Sequence, residues 1–120
     1  HEALKKGSYE CFLDSDTELP MMYMDDAIRA TIGIMEAPES DIKIRNSYNL
    51  AGMSFHPEAI AESIRSIQPG FEISYDPDFR QAIADSWPQS IDDTEARKDW
   101  GWKHEVELDE MTKIMLQNLK

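Results

Sequence analysis

The spacing of apolar residues sets out most of the chain. Met24, Ala27, Ile28, Thr31, Ile32 and Met35 recur at intervals of three and four, the period of an amphipathic helix. Asp25 and Asp26 stand in its first turn, where the helix dipole favours negative charge, and Pro38 marks its end. Ile60, Ile64 and Ile67 share one face of a second helix that opens at Pro57, a residue suited to the first turn. His56 precedes it as a cap, a weaker one by statistics than a hydroxyl. Pro69-Gly70 closes that helix. Leu108, Met111, Met115 and Leu119 form the stripe of a last helix. Alternation predicts strands over Tyr9–Leu13 and Phe71–Tyr75. Ser47–Ala51 reads as another short strand, closed by Gly52, and Leu19–Tyr23 as an extended apolar segment behind a polar turn at 14–18. The opening HEALKKG is a helix tail without a capping residue, ending at Gly7 with Lys5 and Lys6 in its last turn.

Between these elements lies Pro77–Trp102, which holds all three tryptophans. Ser86-Trp87-Pro88 is a rigid non-helical connector, because Pro88 disfavours helical geometry at Trp87. Asp92-Asp93-Thr94-Glu95 then starts a helix. Asp92 is placed to cap it, and Glu95, three positions on, to complete a capping box. Gly101 stops it. The string of helices and strands is an α/β pattern with no strand hairpinned directly to the next.

Composition narrows the function. The chain has 120 residues, enough for one domain, with 12 basic and 24 acidic residues and a net charge of −12. That balance argues against nucleic acid, which needs clustered Lys and Arg. No apolar run approaches a membrane span, and no signal peptide opens the chain. Cys11 is the single cysteine, so an internal disulfide is excluded. It falls in a strand pattern and reads as a buried thiol. A reducing, cytoplasmic setting is expected. His1, His56 and His104 are isolated and have no metal-ligand spacing, so no metal site is expected.

The capped Asp-Asp-x-x-Ala-x-x-x-Trp-Gly-Trp segment, 92–102, resembles the C-terminal part of extended short-chain dehydrogenases and epimerases. FRQAIADSWPQSIDD at 79–93 is more specific, and with LPMMYMDDAIRATI and SYNLAG upstream it resembles the NAD-dependent L-threonine 3-dehydrogenase branch. The resemblance covers nearly the whole chain. It implies the C-terminal, substrate-side part of a Rossmann-type fold that lacks the N-terminal dinucleotide-binding half, with residues 1–120 as one substrate-binding portion. It implies oxidation of L-threonine to 2-amino-3-oxobutanoate with NAD, the cofactor being held upstream. It further implies a homodimeric parent, bacterial and cytoplasmic rather than mitochondrial. The Tyr-x-x-x-Lys pair of that chemistry is not found: Tyr9, Tyr23, Tyr48 and Tyr75 are followed four positions on by Leu13, Ala27, Gly52 and Phe79. No catalytic residue is therefore expected in this chain.

Three residues are candidates for lining the substrate. Trp87 is held in an irregular connector, and in the resembled family this indole looks into the pocket. Met21 belongs to a segment that in nucleotide-sugar relatives begins with a phosphate-binding arginine. Leu19-Pro20 stands there instead, which favours a small substrate. Arg80 is the one base in an acidic stretch, and its plainer reading is an ion pair with a neighbouring carboxylate. Two alternatives remain open on the residues alone. One is a nucleotide-sugar epimerase or dehydratase, and the other a non-enzymatic acidic interaction module.

Overall fold

The structure is a computed structural model in which residues 1–119 are described. The elements run α1 (Glu2–Lys6), β1 (Ser8–Cys11), β2 (Leu19–Met21), α2 (Met24–Glu36), β3 (Met53–Phe55), α3 (Pro57–Ile67), β4 (Glu72–Tyr75), α4 (Phe79–Asp85), α5 (Thr94–Trp100) and α6 (Leu108–Asn118). β1 and β4 pair in parallel, Ser8 opposite Glu72 and Cys11 opposite Tyr75. β2 and β3 pair antiparallel, Leu19 opposite Phe55 and Met21 opposite Met53. Two-stranded sheets of this length are marginal by themselves and depend on what packs against them. No helix of the described residues is long and apolar enough to cross a membrane.

The molecule is a slab of 51 × 32 × 16 Å with a radius of gyration of 16.9 Å. A compact domain of this length would have about 14 Å. The reason lies in the core, which is split and thin. Ala3, Ala61 and Phe71 form one buried cluster, flanked by Ile64 and Ile73. Ala30, Ala96 and Trp102 form the other, flanked by Met22, Tyr48, Leu50 and Trp100. Four of these six buried residues are alanines, so little large apolar surface is covered.

The large side chains are outside instead. α2 forms where its period predicts, and Ala37 leaves it in an extended conformation ahead of Pro38. Its apolar stripe, Met24, Ile28, Ile32 and Met35, is nevertheless exposed, Met35 at 79 %. The buried side is the narrow one, Asp26 and Ala30, with Gly33 facing the Trp100 indole. The stripe on α6 is also rotated from the expected one. Thr112 and Leu116 are buried and Met115 is exposed. The cause is a polar seam with α3: the Ser63 hydroxyl meets Asp109 Oδ1 at 2.6 Å and Thr112 Oγ1 at 3.0 Å.

Two further expectations are corrected. Ser47–Ala51 is not a strand; the strand lies beyond it, at β3. Its backbone is held by side chains instead of a ladder: Ala51 N–H donates to Asp93 Oδ2 at 3.2 Å and Ala51 C=O accepts from Trp102 Nε1 at 3.1 Å. Gly52 does not close a strand but lets two backbones approach. A Cβ on it would stand 2.7 Å from the Met21 carbonyl oxygen and 3.1 Å from the Met22 Cα, so only glycine fits without a backbone shift. The segment after Pro77, for which the sequence pattern set out no element, forms the helix α4.

The caps fall close to the expected places. His56 Nδ1 accepts from Ala59 N–H at 3.2 Å. Asp92 accepts from Thr94 N–H at 3.0 Å. The capping box with Glu95 does not form, because α5 starts one residue later, at Thr94, and Glu95 is one position short of where a box needs it. Gly101 ends α5 at φ 75°, a left-handed conformation that costs glycine little.

Candidate functional site

Two buried carboxylates hold the frame. Asp26, 2 % exposed, was expected to serve the start of its own helix. It reaches across to the loop before α6 instead, accepting from Glu105 N–H at 3.1 Å and Val106 N–H at 3.0 Å, and it pairs with Arg29. Burial alone would raise its pKa. The Val106 amide, the Arg29 guanidinium and the Glu105 amide outweigh that and hold it below the ordinary aspartate value. Asp93 does the same for residues 47–51. It accepts from Ala51 N–H and pairs with Arg97 Nε at 2.7 Å. Burial pushes its pKa up, and the Arg97 and Ala51 hydrogen bonds bring it net down. Both acids are structural clamps.

Beside this frame lies a polar cleft of about 310 Å3, between loop 14–18 and α4. Asp14, Asp16, Glu18, Asp85, Thr17, Gln81, Ala84, Trp87 and Gln89 line it, with no lysine or arginine among them. α4 exists because Asp78 caps it, accepting from Arg80 N–H at 2.9 Å, and because Phe79 and Ile83 give it a one-sided apolar face. None of its residues is buried. The helix ends at Ser86, whose N–H and hydroxyl both donate to Ile83 C=O, and Trp87 follows with its N–H on Ala84 C=O at 3.0 Å. The connector at 86–88 is non-helical, as expected, and α4 fixes its start; the indole stands at the rim, 57 % exposed.

Met21 and Arg80 are not brought to this cleft. Met21 ends β2 and lines a separate apolar cavity of about 470 Å3, with Leu19, Phe55, Ile60, Phe71 and the buried Cys11. Among the described residues Thr17 alone touches both cavities. Arg80 lays its guanidinium over the Phe12 ring, 3.4 Å from the centroid, and forks onto Asp78 with Nε at 3.0 Å and Nη2 at 2.7 Å. That pairing holds the Asp78 carboxyl below its ordinary pKa. Trp100 and Trp102 pack on each other with centroids 6.0 Å apart, at the end of α5 as expected. The polar residues of the cleft were all missed, Gln81 among them. Gln81 is neither charged nor aromatic. Its signal was the cap-and-apolar pattern Asp78-Phe79-x-x-x-Ile83, which marks a helix and so fixes which side Gln81 faces.

A dinucleotide pyrophosphate is held where a glycine-rich turn joins a strand to a helix N-terminus. β2 enters α2 through Met22 and Tyr23, β3 enters α3 through His56, and β4 enters α4 through Asp76, Pro77 and Asp78. None of the three turns contains glycine, and the last carries two carboxylates that repel phosphate. These turns do not fit a dinucleotide. Among the described residues no group of three His, Cys, Asp or Glu side chains is placed to hold a metal ion.

No protein-family model matches the chain. Its relatives are nonetheless clear. It is 51 % identical to a mitochondrial L-threonine 3-dehydrogenase of Bos taurus across 97 % of its own length and 31 % of that protein's. It is 46 % identical to an uncharacterised epimerase/dehydratase of Staphylococcus aureus, covering 99 % of itself and 37 % of that protein. Its fold superposes on a GalE-like L-threonine dehydrogenase from Cupriavidus necator with a TM-score of 0.94 at 59 % identity, over 100 % of this chain and 43 % of that one. The chain thus spans about a third of the length of the relatives it matches. In sequence and in α/β fold it belongs with the C-terminal part of the GalE-like L-threonine 3-dehydrogenases, within the extended short-chain dehydrogenases.

Proposed function

We propose that this chain is the substrate-side portion of an enzyme that oxidises L-threonine to 2-amino-3-oxobutanoate with NAD. The observation that carries the reading is 59 % identity across the entire chain to the Cupriavidus necator dehydrogenase, with a TM-score of 0.94. NAD, the hydride acceptor of that reaction, is held by polypeptide outside this chain, since its own strand-to-helix turns do not fit the cofactor. The same polypeptide covers the exposed stripe of α2 and the Phe79–Ile83 face of α4, and the whole enzyme pairs as a homodimer.

In this reading the chain supplies a wall. Trp87 closes over L-threonine and excludes water from it, because an indole offers a large rigid surface with few rotatable bonds. Met21, on the separate apolar cavity, takes no part in that wall. Arg80 keeps α4 seated on Phe12. The nucleotide-sugar reading has the epimerase/dehydratase relative in its favour. Against it, Leu19 lines the apolar cavity where a phosphate anchor would be needed.

The test uses the full-length enzyme with NAD. Initial rates of NADH formation are measured with L-threonine, and formation of the epimerised or dehydrated sugar with UDP-sugars, because those reactions return the hydride and release no net NADH. Turnover of threonine without sugar epimerisation is the expected result. Turnover of a nucleotide sugar alone would replace this reading.

A further inference from the structure

Gln81 spends its whole side-chain amide on holding the cleft together. Oε1 accepts from Asp14 N–H at 2.8 Å and from the Thr17 hydroxyl at 3.2 Å. Nε2 donates to Thr17 Oγ1 at 2.9 Å and to Asp85 Oδ1 at 2.7 Å. One residue thereby ties three places: both ends of the loop turn at 14–17, and the last turn of α4. The loop in turn is anchored to the frame, because Ser15 C=O accepts from Glu58 N–H of α3 at 3.1 Å.

The importance of this tie follows from what α4 lacks. None of its residues is buried, and its apolar residues Phe79 and Ile83 face outward at 76 % and 51 % exposure. Its first turn is attached through Asp78 N–H to Phe12 C=O at 3.3 Å and through Arg80 over Phe12. Gln81, also in the first turn, attaches that turn to the loop, and its bond to Asp85 braces the second turn, the one that carries Trp87 at its end. A helix of seven residues with no buried face has little cooperativity of its own to fix its far end.

We propose that Gln81 is a positioning residue for substrate: it latches α4 to loop 14–17 and so sets where Trp87 stands over the cleft. The inference rests on the reading that Trp87 faces the amino-acid substrate. Gln81 touches no reacting atom and acts through the indole. With the latch cut, α4 keeps its cap but its C-terminal turn is free to swing, and the wall moves away from substrate. Displacements of about 1 Å at a positioned group cost on the order of 100-fold in rate.

The test is a double-mutant cycle in the full-length enzyme with NAD, using Gln81→Leu and Trp87→Ala. Gln81→Leu is expected to lower kcat/KM for L-threonine at least tenfold, to leave KM for NAD within twofold, and to add no further loss in the Trp87→Ala background. Acrylamide quenching of indole fluorescence should rise in Gln81→Leu and not in the double mutant. Thr17→Val, which removes the hydroxyl shared by both ends of the amide, should give a smaller loss of the same kind, and it serves as the test if Gln81→Leu does not fold. A kcat/KM near wild type in the folded Gln81 variant, or in Thr17→Val if that variant must stand in, overturns the inference. So does a loss that simply adds to that of Trp87→Ala. If Trp87→Ala itself is kinetically silent, the reading of Trp87 falls and the latch falls with it. A silent Gln81→Leu beside a damaged Trp87→Ala removes the latch alone.

Discussion

The half of the molecule around α2, α5 and α6 and the arm around α4 are built by opposite means. In the first, charge is buried: Asp26 and Asp93 each satisfy backbone amides far away in sequence, and Trp102 closes the cluster between them at 3 % exposure. In the second, nothing is buried, and polar ties at the surface do all the holding. Buried, fully paired groups give a single arrangement that is costly to leave, whereas surface ties are individually weak. The candidate substrate residue Trp87 rides on the weak side. Binding elements are drawn from the low-stability parts of a structure, because they must open and close, and a stiff frame is what makes such movement reproducible.

The largest effect is expected where the frame is broken. Asp26→Ala leaves the Glu105 and Val106 amides without acceptors and Arg29 without its partner. Two orphaned amides in a closed site cost about 3 kcal/mol together. Urea unfolding of the full-length enzyme should show that loss, and amide exchange should speed up at 105 and 106 first. The pH dependence has a definite sign. Asp26 has a folded pKa below its unfolded one, so its contribution is present above the unfolded value and is lost as pH falls through the folded value. The urea midpoint should therefore drop below about pH 4 in the wild type, and Asp26→Asn should flatten that slope. A variant that keeps wild-type stability and exchange would mean the two halves are not built differently after all.

Trp87→Ala should show the reverse balance. At 57 % exposure the indole contributes well under the about 3–5 kcal/mol of a buried aromatic, so the melting temperature should change little. If the arm serves substrate, kcat/KM for L-threonine should fall ten- to about a hundredfold. A large stability loss with near-normal kinetics would move Trp87 into packing, and the arm would lose its functional meaning.

How much of this contrast was legible in the sequence differs from residue to residue. The period of α2 gave its extent to within a turn, but not its orientation. Periodicity tells which face is apolar and says nothing of what covers it, and here Met24, Ile28, Ile32 and Met35 stay largely exposed. An aspartate near a helix start looks the same in sequence whether it serves its own helix, like Asp92 at Thr94, or a loop 79 residues on, like Asp26. The strand expected at 47–51 failed for a related reason: its alternation was real, but the partners were Asp93 and Trp102 side chains rather than another strand. α4 was hidden between Pro77 and Pro88, where seven residues leave little room for a periodic signal. Trp87 at a cleft rim was readable because Pro88 restricts it locally. For Gln81 the cap-and-apolar pattern gave at most its side of the helix; its partners, 64 and 67 residues away, were out of reach.

Arg80 gives the smallest expected effect and the sharpest division between frame and arm. Its guanidinium has two possible carboxylate partners, Asp78 beside it and the carboxylate of an amino-acid substrate. The geometry gives both nitrogens of the fork to Asp78 and the flat face to Phe12. A guanidinium already forked and stacked has little left to offer a substrate, and a pair this open to solvent contributes little to stability. Arg80→Lys keeps the charge but cannot form the fork or the stack. The expected outcome is a slight fall in melting temperature and kcat/KM within about threefold of wild type, since the Gln81 tie still holds α4 to the loop. Measured across L-threonine concentration, the small change should fall on kcat and KM alike. A tenfold rise in KM with kcat unchanged would instead mean that Arg80 leaves Asp78 for the substrate carboxylate, and the first turn of α4 would then join Trp87 in the binding arm.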